Sequence, residues 1–247
     1  MKCILLDLRR AIAGRWFLAA LIATAVALYL SVGQATYGLI GYLESYDLFE
    51  ENSFWYSMTD LLTMGMKGDF GLLTLPALSA LPFAAQALHE IKSGAIRPAV
   101  FRTGRKNWII GKAAGCVVSG MLLQGSAVGL LFLILNGLMR YIAGQWFPWG
   151  DHTDFWLLLL NRMLCGGIWA GVGCVIALAT ETASVAYLGP LCLCYALMMI
   201  GTRFFPDAVM LNPMRWVNGN EWVLVVLIVV SVTLQIIFLN RGVRKYA

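Results

Sequence analysis

Charge drops out of this chain at six places along its length. Asp, Glu, Lys and Arg are all missing from Trp16 to Leu43, from Phe70 to Leu88 and from Trp222 to Asn240. Three further stretches are nearly as clean, with Lys112 and Arg162 close to the beginnings of two of them. These runs are apolar throughout and do not alternate apolar with polar, so they read as helices in lipid and not as barrel strands. The pattern predicts transmembrane helices over about 16–40, 70–89, 108–137, 157–180, 183–202 and 222–240. Pro76 and Pro82 fall inside the second and predict a kink there. Gly111, Gly115, Gly120, Gly125 and Gly129 mark the third, and Gly167 and Gly171 the fourth, at spacings that allow close helix approach.

The polar stretches differ from one another. In residues 1–15, Ile4, Leu5, Leu8, Ile12 and Trp16 recur at helical spacing among Lys2, Arg9, Arg10 and Arg15, which predicts an interfacial amphipathic helix. The run that follows is longer than a signal-peptide core, so it is read as a retained first helix. Residues 44–69 are acidic, and the periodicity of Phe54, Trp55, Met58, Leu61 and Leu62 predicts a short helix lying in the outer interface. Residues 140–154 and 203–221 read as loops. Glu181-Thr182 reads as a very tight connection.

Composition agrees with this pattern. Across 247 residues, 60% are hydrophobic and 13% charged, whereas a soluble domain carries about a quarter charged residues. The fold class is therefore an all-α polytopic membrane protein forming a single transmembrane domain over 1–247. The net charge of +5 does not point to nucleic acid, because the cations segregate by side. Residues 1–15, 89–112, 181–182 and 241–247 hold four, six, none and three of the eighteen lysines and arginines, while ten of the thirteen acids lie elsewhere. The positive-inside bias thus predicts both termini in the cytoplasm. The six cysteines read as small apolar residues of helices, not as metal ligands or disulfides. With His89 at a helix end and His152 in a loop, no serine–histidine pair stands at membrane depth, and there is no nucleotide-binding glycine loop. The chain is therefore not expected to be an enzyme. Arg162 is expected to snorkel to the outer interface.

The stretch from Glu90 to Lys112 carries Lys92, Arg97, Arg102, Arg105, Lys106 and Lys112 against the single acid Glu90. Gly94 and Gly104 flank its middle and permit sharp bends. Its order is Glu90, then Ser93-Gly94, then Thr103-Gly104-Arg105-Lys106, then Trp108 and Gly111-Lys112 opening the third helix. That order resembles the coupling segment of type-2 ABC exporter permeases, although that family often has a Pro-x-Ser-Arg-like turn where this chain has Thr103-Gly104-Arg105. The resemblance implies six helices with both ends inside, a cytoplasmic coupling helix between helices 2 and 3, and short extracellular helices between helices 5 and 6. It also implies two separate ABC ATPase subunits that carry ATP and Mg, and a second permease subunit, identical or related. Cofactors are expected on those partners and not on this chain. The implied place is the cell membrane, in contact with lipid, in a bacterium. The coupling residues would be Glu90, Gly94, Arg97, Arg102, Gly104, Arg105, Lys106 and Lys112. The cargo would be amphipathic or hydrophobic: a peptide, a drug or a lipid-like molecule. Tyr29, Gln34, Tyr37, Gln124, Asn136 and Tyr195 are candidates to line its route, with helix–helix hydrogen bonding as the other role open to them. The alternative reading of the whole chain is a non-transporting membrane protein, a sensor or assembly partner. In that case the cations only anchor the chain to anionic lipid.

Overall fold

A computed structural model describes residues 9–45, 57–143, 146, 149–150, 154–206, 208–218 and 221–246. All regular structure among them is helical. Residues 9–12 are helical and precede α1, Arg15–Ser45. Then follow α2, Met58–Lys67; α3, Asp69–Ala80; α4, Gln86–Lys92; α5, Ile96–Thr103; and α6, Arg105–Ala143. The chain continues with α7, Asp154–Thr180; α8, Ala183–Phe204; a 3-10 turn, Val209–Leu211; α9, Pro213–Trp216; and α10, Glu221–Tyr246. Within α1, α6, α7, α8 and α10, five stretches are long and apolar enough to cross a membrane.

The second predicted helix is not continuous. Pro82 has no N–H to give to Leu78, whose carbonyl accepts from Leu81 instead, and the chain turns through 81–85 before α4 begins. At 12 residues, α3 is only about 18 Å long and cannot cross a bilayer by itself. Instead, α2, α3 and α4 form a broken rod running antiparallel to α6. Gly65 lies against Leu131, Ser79 bonds Gln124, and Glu90 pairs with Lys112.

The expected interfacial helix at 44–69 also needs correction. The helix described there is α2, whose N-terminus is fixed by a capping box between Ser57 and Asp60. Met58, Leu61, Leu62 and Met66 are fully buried in the main core with Leu28, Leu131 and Leu135. This helix therefore packs into the bundle. Trp55 and Tyr56 lie outside the described residues.

Helix α7 is the hub. Its Gly166 backs onto Gly120 of α6 so closely that a Cβ on Gly120 would sit 2.5 Å from the Gly166 carbonyl oxygen. Gly171 faces Ser231 and Gln235 of α10, and Gly173 faces Ala186 of α8 and Ala80 of α3. Four neighbours thus approach one helix through its small residues. The predicted glycine stripe of α6 works mainly at Gly120, whereas a Cβ on Gly129 would meet nothing within 4 Å. The loop at 203–221 contains the 3-10 turn and α9, with Trp216 stacked on Trp169 of α7 at 5.4 Å. The basic tail continues α10 as far as Tyr246. Ala11 and Val243 share one apolar cluster with Ile91, Ile96 and Trp108, so both described ends of the chain meet at the end of the bundle that carries α5.

Candidate functional site

The segment between α4 and α6 forms a separate knob. Gly94 has φ +76° and Gly104 has φ +79° with ψ 144°, conformations close to glycine-only territory. Each glycine turns the chain sharply, and α5 is held between the two turns. Pro98 stands in the first turn of α5, where its missing N–H costs no helical bond. One face of α5 is anchored: Ile96 is fully buried, and Ala99 and Val100 pack on the same apolar cluster. The other face carries Arg97, Phe101 and Arg102, all exposed. Phe101 is 93% exposed, the largest value among the exposed large apolar residues.

The base of the knob is closed by one ion pair. The Lys112 ammonium donates to Glu90 Oε1 at 2.6 Å, with Lys112 only 2% exposed. That ammonium also sits over the rings of Phe83, 5.5 Å from its centroid, and Trp108, 6.0 Å away. The outermost members of the sequence pattern, Glu90 and Gly111-Lys112, therefore meet in space and fix where α4 ends and α6 begins. Arg105 has an internal role: its guanidinium donates to the backbone and side-chain oxygens of Asn240 in α10. Lys106, like Arg97 and Arg102, lies at the exposed surface.

Four of the candidate route residues are described, and they lie in different surroundings. Gln124 is fully buried; its amide donates to Ser79 at 2.9 Å and its oxygen accepts from Arg162 at 3.2 Å. Asn136 is buried, Tyr29 packs on the main core, and Tyr195 is exposed on α8. The side chains of Gln34 and Tyr37 lie outside the described residues.

Arg162 does not snorkel. It is 0% exposed and donates to the carbonyls of Met66, at 2.6 Å, and Gly71, at 3.0 Å, as well as to Gln124. Those carbonyls bracket Gly68, where α2 passes into α3, and Ser31 of α1 accepts from the Gly71 N–H at the same junction. A guanidinium has five donors in a planar fork and can serve several acceptors on either side of such a break together. The sequence shows an arginine near the start of an apolar helix, but not which helix that arginine faces.

No family model matches the chain, and no curated protein matches it in sequence.

Proposed function

We propose that this chain is the membrane-spanning subunit of an ATP-driven exporter, organised like the type-2 ABC permeases that its central segment resembles. The supporting observation is the construction of α5. A short helix held between two glycine bends, anchored by Ile96 and clamped at its base by Glu90 and Lys112, presents Phe101, Arg97 and Arg102 outward. A lipid anchor needs only positive charge. It needs neither a rigid base nor an aromatic tip, whereas docking into a cleft on another protein uses both.

In this reading α1, the broken rod α2–α4, α6, α7, α8 and α10 are the six spans, and α5 faces the cytoplasm with both termini. Two such chains, or one with a relative, bind two separate ATPase subunits. Nucleotide-driven closure of those subunits moves α5 and, through the Glu90–Lys112 clamp, the ends of α4 and α6. The cargo is an amphipathic or hydrophobic molecule. Purified alone in lipid, the chain should hydrolyse no ATP. Co-expressed with its ATPase it should form a complex whose hydrolysis falls severalfold in Phe101→Ala. Hydrolysis by the clean chain alone, or full activity in Phe101→Ala, would overturn the proposal.

A further inference from the structure

A second feature at the same end of the bundle stands apart from α5. The last turns of α4, the end of α7 with Glu181, and the last turns of α10 line an open-mouthed cavity of about 160 Å³. Its apolar wall is made by Leu88, Ile91, Leu178 and Phe238, and its polar part by Lys92, Glu181, Arg241 and Lys245. Glu181 has φ +53°, the left-handed conformation that side-chain-bearing residues rarely adopt. Two lysines hold it there. Lys92 donates to its carbonyl at 2.5 Å and Lys245 to its carboxylate at 2.7 Å. Three cations therefore line this cavity with a single carboxylate, and only Lys245 of the three bonds that carboxylate. The Arg241 guanidinium lies 5.6 Å from the Phe238 ring centroid and meets no carboxylate among the described residues.

We infer that this cavity is a site for the phosphate of an anionic phospholipid, with the headgroup on Arg241, Lys245 and Lys92 and the upper acyl chain along Leu178 and Phe238. Charge complementarity selects an anion. The apolar wall, at the end of membrane-crossing helices, selects one attached to hydrocarbon. Basic pockets between transmembrane helices bind acidic headgroups in this way. A lipid seated there bridges α4, which carries α5, to α10 and braces the base of the knob. The inference stands without the transport reading, since it needs only the cavity and the adjoining spans.

The test is thermal unfolding of the full chain in detergent, followed by tryptophan fluorescence. Dioctanoyl phosphatidylglycerol, dioctanoyl phosphatidylcholine and inorganic phosphate are titrated separately. Phosphatidylglycerol should raise the midpoint saturably, with phosphatidylcholine and phosphate at least tenfold weaker. Arg241→Gln together with Lys245→Gln should weaken phosphatidylglycerol at least tenfold. Ala179→Phe, which fills the cavity without changing charge, should do the same, and it decides the matter if the charge variant does not fold. Arg140→Gln, which removes a cation at the other end of the bundle, should respond like the unaltered chain. Equal stabilisation by both lipids would overturn the inference. So would phosphate acting as well as phosphatidylglycerol, or undiminished lipid binding by Ala179→Phe.

Discussion

Among the described residues two buried cations, Lys112 and Arg162, shape the polar interior, and they do different work. Lys112 pairs with the Glu90 carboxylate at the edge of the buried interior; losing one member of a fully buried pair costs about 3–5 kcal/mol, an upper bound for this partly exposed one. Glu90→Gln should therefore lower the thermal midpoint in detergent clearly, and Glu90→Gln with Lys112→Met should recover much of the loss. Additive losses in that cycle would show that the two groups do not interact. Glu90→Gln also makes the segment more positive, so a pure lipid anchor would keep its function, whereas the proposed clamp predicts lost transport. Arg162 has no carboxylate and instead satisfies two backbone carbonyls and Gln124. Leaving the Met66 carbonyl at the end of α2 or the Gln124 oxygen unpaired costs about 1–3 kcal/mol each. Arg162→Leu should be strongly destabilising and Arg162→Lys intermediate, because a lysine keeps the charge but not the fork. Equal stability of Arg162→Lys and the unaltered chain would show that the fork is unimportant.

At the level of elements, α5 separates geometry from charge. The φ values at Gly94 and Gly104 are costly for a β-branched residue, on the order of 1–3 kcal/mol each. Gly104→Val leaves the charge untouched and should reduce ATPase stimulation severalfold while the chain still inserts, as judged by immunoblot of the membrane fraction. Arg102→Lys is the companion variant: an exposed arginine gripping a partner loses its bidentate geometry, whereas one lying on lipid does not. Full transport in Gly104→Val and Arg102→Lys together would reduce α5 to an anchor. Arg105→Lys cannot make that distinction, because Arg105 already holds Asn240. Its loss should loosen α6 from α10 whether or not a partner docks.

For the whole molecule, the pairings within the bundle fix which helix ends lie together, and the proposed side rests on the lysine and arginine bias. Single cysteines at Trp149 and Met210, both exposed, should react in intact cells with a membrane-impermeant thiol reagent, in a background without native cysteines. A cysteine at Arg102 should react only after permeabilisation. Labelling of Arg102→Cys in intact cells would invert the proposed orientation. Pro213 is a poor reporter for this purpose because it is buried in the α9 turn.

Much of this architecture is legible in the sequence because lipid imposes a one-dimensional rule. A helix must be apolar over its crossing length, so the runs at 16–40, 108–137, 157–180, 183–202 and 222–240 fall within the long helices, which extend as many as six residues past them. The tight turn at Glu181-Thr182 and the bends at Gly94 and Gly104 were legible too, since each is a local property of a few residues. Pairing is not local. Glu90 and Lys112 are 22 positions apart, and Arg162 reaches Met66 and Gly71 across 96 and 91. No periodicity reports such distances. For the same reason α2 read as interfacial: its polar ends are visible in the sequence, but the apolar neighbours that bury Leu61 and Met66 come from α1, α6 and α7. A charged residue next to an apolar run has two ways to be satisfied, by water at the interface or by carbonyls inside the bundle. The sequence is compatible with both, and only packing that brings a broken helix against Arg162 selects the second.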